Sequence, residues 1–400
     1  MENSASFNMS SNESSIENII ECIEIISSKY PNYVAIIEEE TNLSFTYNEL
    51  MVKSSEISLE LMKHIQYPKE IIVGDETPLV ALLTNRGHAS IASMLGILKA
   101  GAAYVPIDPS FPEDRQLHIL THSKCQIVIV EDVYLNRLKS MGTSTEILPK
   151  ILILNASTSK LKELDDSSYS SVRNILNKSV EITRSTESLA YVLYTSGSTG
   201  KPKGVMVRNQ GLLNIIQFFA NDLKVTNKDA VLGLTTFCFD ISMLEIFMPL
   251  IKGATLVLVS LTTQKNPIRI IETLTKYNIT IMQATPTTYE MLISCGWNGD
   301  TNIKFLVGGE ACRPKVAQLS STCGGLYNVY GPTETTIWSS SFRIPTDKAI
   351  VNGYVTSGVP VGHPISATSF YLVSEQGEEI TAIDGEGELF IGGDGVALGI

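Results

Sequence analysis

The chain has 400 residues, 44% of them hydrophobic and 18% charged, with a formal net charge of -12. That length exceeds one ordinary hydrophobic core, so two or three domains are expected, and the composition is that of a folded chain rather than a disordered one. The acidic balance argues against a general nucleic-acid or anionic-membrane surface while leaving room for a local basic pocket. No uncharged apolar run reaches the ~18 residues that a membrane helix needs.

The elements can be read in chain order. Residues 1–15, MENSASFNMSSNESS, lack the basic and apolar regions of a signal peptide and read as a flexible lead. Ser15 to Ser28 repeats apolar residues at three and four spacing, which predicts an amphipathic helix. A second helix follows over Tyr47 to Lys63, with Thr46 as its cap. Pro78 to Leu83 reads as a buried strand, Ser90 to Lys99 as a helix ending at Gly101, and Ala103 to Ile107 as a strand before a turn set by Pro109 and Pro112. Gln126 to Val130 and Ile151 to Leu154 continue the strand series. The charged, serine-rich run from Lys160 to Ser188 reads as a surface crossing. Such alternation implies an α/β sheet covered on both faces.

The alternation resumes further on. Strands are expected at Ala230 to Leu234, Ala254 to Val259, Ile279 to Gln283 and Ile303 to Val307, with helices at Ile241 to Pro249 and Pro267 to Tyr277. From about Ser339 the pattern changes to short strands and turns, suggesting a small β-rich part. The expected organisation is therefore a first α/β subdomain over 16–188, a second over 189–338, and a β-rich one over 339–400.

The most informative stretch is LAYVLYTSGSTGKPKG, Leu189 to Gly204. An apolar strand runs into a loop of hydroxyl side chains, glycines and two lysines. Glycine lets backbone approach a ligand, hydroxyls donate hydrogen bonds and lysine neutralises phosphate. The loop is neither a Walker A motif, since Pro202 follows Lys201, nor a G-x-G-x-x-G fingerprint. On residue chemistry alone a flexible low-complexity surface loop stays open beside a phosphate loop. The six cysteines include no C-x-x-C pair, and with only five histidines a zinc site has no support. Reduced thiols in a cytoplasmic chain are the simplest account.

TSGSTGKPKG resembles the phosphate loop of the adenylate-forming enzymes, and most closely that of the adenylation domains of non-ribosomal peptide synthetases. Further matches follow the family's order: FTYNEL (Phe45 to Leu50), LKAGAAYVPIDP (Leu98 to Pro109), FDIS (Phe239 to Ser242), NVYGPTE (Asn328 to Glu334) and GELFIGGDGVALG (Gly387 to Gly399). The resemblance covers nearly the whole chain after the polar lead. It implies an α/β fold of two sheet-and-helix subdomains plus a small distorted β-barrel, with the active site where they meet. Leu398 and Ile400 depart from the family, where Arg and Tyr are usual. Members continue into a ribose-binding segment, a hinge and a mobile lobe bearing a catalytic lysine. None of these follows Ile400, so the chain reads as the large N-terminal lobe of a longer polypeptide, weakly active alone.

The resemblance also implies site roles. Thr195, Ser196, Thr199, Lys201, Lys203 and Glu334 are the expected catalytic set, with Gly197, Ser198 and Gly200 completing a loop that embraces the β- and γ-phosphates of ATP. Thr333 would lie on the α-phosphate and Glu334 would hold Mg²⁺, a cation that prefers hard oxygen ligands. Glu334 read alone is an ordinary carboxylate at a helix N-terminus after Pro332. Tyr330 would stack on adenine, Asn328 would read its edge, and Gly309, Glu310, Ala311 and Gly331 would line the rest. A tyrosine at a strand end is otherwise simply packing, and His363 has no expected role.

Asp240 decides the substrate class. Read alone it caps the helix ISMLEIF. By resemblance it pairs with a substrate α-ammonium, which relatives acting on fatty acids do not need. The remaining pocket positions fall at Ile241, Leu244, Gln283, Leu306, Gly308, Val329, Ile337 and Trp338. That set resembles the family signature for glycine, with Val329 in place of Leu. The bulk of Leu244, Gln283 and Trp338 would fill side-chain space and favour glycine, with alanine next. Leu244 also reads as ordinary core on its helix. The expected reaction converts an amino acid and MgATP to aminoacyl-AMP and pyrophosphate, for transfer to the phosphopantetheine arm of a peptidyl carrier protein among other synthetase domains. The alternative is a stand-alone acyl- or aryl-CoA ligase of the same superfamily.

Overall fold

The computed structural model describes residues 18–68, 74, 76–141, 149–163, 185–195, 200–382 and 384–400. The expected lead at 1–15 and most of the 160–188 crossing lie outside them. Asn18 caps α1 (Ile19–Lys29), accepting from the N–H groups of Ile20 and Glu21, and the helix buries Ile19, Ile20, Cys22 and Ile23. β1 (Val34–Glu38) and β2 (Leu43–Thr46) follow as an antiparallel pair. The expected Thr46 cap is present as a full capping box with Glu49 at the start of α2 (Tyr47–Met62).

β3 (Leu79–Leu83), α3 (His88–Lys99), β4 (Ala103–Ile107), α4 (Glu113–His122), β5 (Ile127–Glu131), α5 (Leu135–Met141) and β6 (Lys150–Asn155) then alternate. The run from Lys160 does not begin as a crossing. Its first four residues form β7 (Lys160–Glu163), an antiparallel edge strand on β6. Its polar composition is what an edge tolerates.

Next come β8 (Leu189–Thr195), β9 (Lys203–Arg208), α6 (Asn209–Asp222), β10 (Ala230–Gly233), α7 (Ile241–Leu250), β11 (Thr255–Leu258), α8 (Leu261–Gln264), α9 (Pro267–Lys276), β12 (Ile281–Ala284), α10 (Pro286–Ser294), β13 (Lys304–Val307), α11 (Pro314–Ala317) and β14 (Gly325–Tyr330). A short 3-10 turn at Thr333–Thr335 separates β14 from β15 (Ser340–Arg343). α12 (Lys348–Ser357), β16 (His363–Pro364), β17 (Thr368–Val373) and β18 (Glu388–Gly393) complete the described elements.

Two large sheets organise these elements. Among the described residues, one has seven strands in the order β7-β6-β5-β3-β4-β8-β9 and the other nine, β16-β15-β14-β13-β12-β10-β11-β1-β2. The sheets do not divide at the expected 188/189 boundary. β8 lies parallel to β4, with Tyr191 opposite Tyr104, so the hairpin bearing the phosphate loop closes the first sheet. Conversely β1 runs parallel to β11, so the N-terminal hairpin belongs to the second sheet. The Tyr47 hydroxyl, fully buried, donates to the carbonyl of Ala254 at 2.7 Å and fastens α2 to that sheet.

The expected change of pattern near Ser339 also has a different physical form. β15 pairs antiparallel with β14 and extends the nine-stranded sheet, and α12 follows. Among the described residues, only β17 and β18 stand apart, as a two-stranded antiparallel sheet.

Burial separates into three clusters. The largest joins α2, α3, α6 and α7 to the facing sides of both sheets. A second packs β12, β13 and β14 against α9, α10 and α11 on the outer side of the nine-stranded sheet, and a third packs α4 and α5 outside the seven-stranded one. Helices therefore cover both faces of each sheet, as the apolar strands require. No helix among the described residues is long and apolar enough to cross a membrane.

Candidate active site

The site lies at the carboxyl ends of parallel strands, where α/β sheets form ligand crevices. β8 leads to the phosphate loop, β10 to the loop ending in Asp240, β13 to Gly308–Ala311 and β14 to Tyr330 and the turn after it. Thr195, half-buried, sits opposite Lys203 in the β8–β9 register. Lys201 and Lys203 are exposed, as is Gly200, so both ammonium groups face solvent beside the loop. Ser196, Gly197, Ser198 and Thr199 lie outside the described residues.

Asp240 is 4% exposed. It has helical dihedrals at the start of α7, and its side chain makes no capping hydrogen bond. Desolvation pushes its carboxyl up to about 6, partly offset by the nearby Thr333 side chain and Ile241 N–H, while the Glu334 charge adds to the rise. The structure thus brings Asp240, Thr333 and Glu334 together from sequence positions almost a hundred residues apart.

The other pocket residues converge on one side of the second sheet. Gln283 and Leu306 are register partners on β12 and β13, and Leu306 pairs in turn with Tyr327 on β14. Ile241, Leu244, Leu306, Val329, Ile337 and Trp338 share the largest buried cluster, whereas the alternate residues Met282, Phe305 and Val307 belong to the outer one. The two-residue side-chain period of a strand makes that division. At Gly308 a β-carbon would come within 2.6 Å of Trp338 Cη2 and of the Val329 carbonyl oxygen. The indole is packed flush against backbone there, which only glycine permits.

Trp338 follows two β-branched residues in the left-handed region, Thr336 at φ 60° and Ile337 at φ 66°. That conformation is costly for such residues and persists only when its surroundings hold it. The Thr336 hydroxyl donates to the Gly395 carbonyl at 2.6 Å, and Ala397 N–H donates to the Glu334 carbonyl at 2.8 Å. The segment after β18 thereby holds the turn that carries both Glu334 and Trp338.

The region expected to receive a nucleobase is open. Tyr330 is 40% exposed. Gly309 has φ +82°, and the nearest atom to a β-carbon there would be Thr285 Cγ2 at 3.6 Å. Ala311 is exposed, and Glu310 accepts from the Thr287 hydroxyl. Asn328 is buried and its amide nitrogen donates to the Pro360 carbonyl at 2.7 Å, while Gly331 lets Ser339 N–H return to the Tyr330 carbonyl.

Sequence reasoning missed three buried groups. Glu245 accepts from Leu234 N–H, Thr235 N–H and the Thr235 hydroxyl, and its signal was a lone acid inside the apolar run ISMLEIFMPL. Arg86 donates to the carbonyls of Val259 and Gly233, joining the ends of the two sheets. The Tyr191 hydroxyl is fully buried without a hydrogen-bond partner, within electrostatic reach of Asp240. A separate cavity of about 200 Å³ is lined by Arg86, Asp108, Tyr134, Thr236 and Cys238, and includes none of the expected substrate residues.

This fold of two α/β sheets, with a buried carboxylate at Asp240, is that of an adenylate-forming enzyme. The chain belongs to the AMP-binding enzyme family, whose model matches residues 24–400. It is 33% identical over 80% of its length to a dimodular nonribosomal peptide synthase of Bacillus subtilis. It is 31% identical over 94% of its length to tyrocidine synthase 3 of Brevibacillus parabrevis, and 30% over 93% to gramicidin S synthase 1 of Brevibacillus brevis. It spans 13%, 5% and 31% of those relatives. A solved four-domain nonribosomal peptide synthetase bound to AMP and glycine superposes with a TM-score of 0.75 at 29% identity, over 95% of this chain and 25% of that one. The N-terminal subdomain of NpsA from Klebsiella oxytoca, bound to 3-hydroxyanthranilyl-AMSN, gives 0.74 at 22% identity over 96% and 89%, and supports the fold alone.

Proposed function

We propose that this chain is the adenylating lobe of a non-ribosomal peptide synthetase and that its amino acid is glycine, with alanine next. The observation that supports this reading is the buried Asp240 carboxylate close to Thr333 and Glu334, together with the tight packing of Trp338 on Gly308. A carboxylate that deep is costly without a cation, and a substrate α-ammonium supplies one. A plain carboxylic acid would leave that charge unpaired, which disfavours an acyl- or aryl-CoA ligase.

In this reading the ammonium pairs with Asp240 and the substrate carboxylate is held near Thr333. It attacks the α-phosphate of ATP, forming the aminoacyl-AMP anhydride and displacing pyrophosphate. Lys201 and Lys203, with the hydroxyls of the phosphate loop, neutralise the β- and γ-phosphates, and Thr195 anchors the loop at the end of β8. Adenine stacks on Tyr330 above Gly309, and the amide oxygen of Asn328 accepts from the exocyclic amine. The Glu334 carboxylate suits Mg²⁺, which prefers one or two carboxylates plus substrate phosphates and would supply charge neutralisation at the phosphates. The phosphopantetheine thiol of a peptidyl carrier protein then attacks the acyl carbon, forming a thioester as the acyl–phosphate bond breaks and AMP leaves. The reaction is expected in the cytoplasm.

The deciding experiment is amino-acid-dependent pyrophosphate exchange by the full-length domain across the twenty amino acids. Glycine should give the highest kcat/KM. A large aromatic or aliphatic substrate that outperforms it would overturn the glycine assignment, and absence of exchange with every amino acid would overturn amino-acid activation.

A further inference from the structure

Behind the pocket wall lies a continuous buried chain of polar groups. The indole nitrogen of Trp338 donates to the amide oxygen of Gln283 at 2.8 Å. The Gln283 amide nitrogen donates to the Ile241 carbonyl at 2.8 Å and to Glu245 Oε1 at 3.3 Å. Three partners therefore dictate one orientation of this amide: two acceptors face its nitrogen and one donor faces its oxygen. Glu245 is 1% exposed, and its remaining lone pairs accept Leu234 N–H at 2.8 Å, Thr235 N–H at 2.9 Å and the Thr235 hydroxyl at 2.6 Å. The Arg86 guanidinium supplies the balancing positive charge from the end of β3. One carboxylate thus ties the loop that leads to Asp240, the helix bearing Ile241 and Leu244, and the strand bearing Gln283. A buried carboxylate and amide whose hydrogen bonds are all made rigidify what they touch.

We propose that Glu245 is the positioning residue for substrate size: it never meets the substrate, but it locks the Gln283 amide and through it holds the Trp338 indole against Gly308. The selectivity part of this proposal rests on the amino-acid pocket proposed above, while the positioning part does not.

The test uses the full-length domain labelled with 5-fluorotryptophan, with the Trp338 fluorine resonance assigned by Trp338→Phe. Glu245→Gln should shift or broaden that resonance. It should lower the glycine-over-alanine ratio of kcat/KM in pyrophosphate exchange by at least about tenfold, the scale at which one methylene is discriminated, and leave KM for ATP unchanged. Gln283→Leu keeps the other bonds of Glu245, so it reads the same link if Glu245→Gln does not fold. It should move the resonance likewise, and the double variant should add nothing further. An unmoved Trp338 resonance in both variants overturns the proposal. So does a uniform fall in kcat/KM that preserves the glycine-to-alanine ratio. If the unaltered domain activates no amino acid, the functional reading fails, and the resonance alone then judges the positioning.

Discussion

Trp338, in the turn before β15, and Gln283, on β12, meet through a buried hydrogen bond of 2.8 Å from indole nitrogen to amide oxygen. Trp338→Phe keeps most of the ring but leaves the Gln283 oxygen unpaired, a cost of about 1–3 kcal/mol. Thermal unfolding should show that loss. Removing the amide as well, in Gln283→Leu with Trp338→Phe, should recover part of it, because the orphaned Gln283 oxygen is then gone.

Gly308→Ala places a methyl where Trp338 Cη2 and the Val329 carbonyl already lie 2.6 Å away. Overpacking of this kind costs about 1–3 kcal/mol. The neighbour able to give way is the indole, so KM for the amino acid should rise while KM for ATP changes little. Equal changes in both constants would show that the β13 end is not part of an amino-acid pocket.

Asp240 has a carboxyl raised from 3.8 to about 6 by burial. A group raised in this way binds its proton more tightly when folded. Its contribution therefore costs stability progressively as pH rises from about 4 to about 6, and the cost is constant above that range. The shift corresponds to roughly 3 kcal/mol at most. Asp240→Asn should accordingly be more stable than the unaltered protein at pH 7 and no more stable at pH 3.5, as scanning calorimetry would show. The same variant should lose amino-acid-dependent exchange. In the unaltered protein, KM for the amino acid should climb as pH falls below about 6, because a protonated carboxyl no longer pairs with an ammonium.

Lys201 and Lys203 are solvent-exposed at the mouth of the β8–β9 hairpin. Replacing either with alanine should change folding stability by no more than about 0.5 kcal/mol. Removing one donor that stabilises transition-state charge costs about 10²–10³ in rate. Pyrophosphate exchange should fall on that scale while the melting temperature stays put. A large drop in melting temperature would indicate a structural ion pair instead.

Much of this protein was legible before any tertiary contact was known. The sequence pattern located α2, α3, α7 and the strands β3, β4, β10 and β11 to within a few residues, because apolar runs and the turn residues that bound them are local, whereas β1 and β2 went unread. The Thr46 capping box and the turn after Lys99 were legible for the same reason. Asp240, Thr333 and Glu334 could be named because short motifs surround them. Other features depend on partners distant in the chain. Nothing in residues 34–46 says that they pair with β11, and nothing in β8 says that it completes the sheet of β3 and β4. Parallel pairing is chosen by how helices pack over both faces, which is a property of the assembled layers. The left-handed turn at Thr336 and Ile337 defies the preference of both residues and exists because Gly395 and Ala397 hold it from sixty residues away. Glu245 looked like an interruption in an apolar helix until its backbone donors, Gln283 and Arg86 closed around it. The sequence by itself determined which chemical groups are expected at the site, because short local motifs carry them. The depth of Asp240 and the seating of Trp338 on Gly308 were decided only by the packing of two sheets, because burial and strain depend on the whole fold.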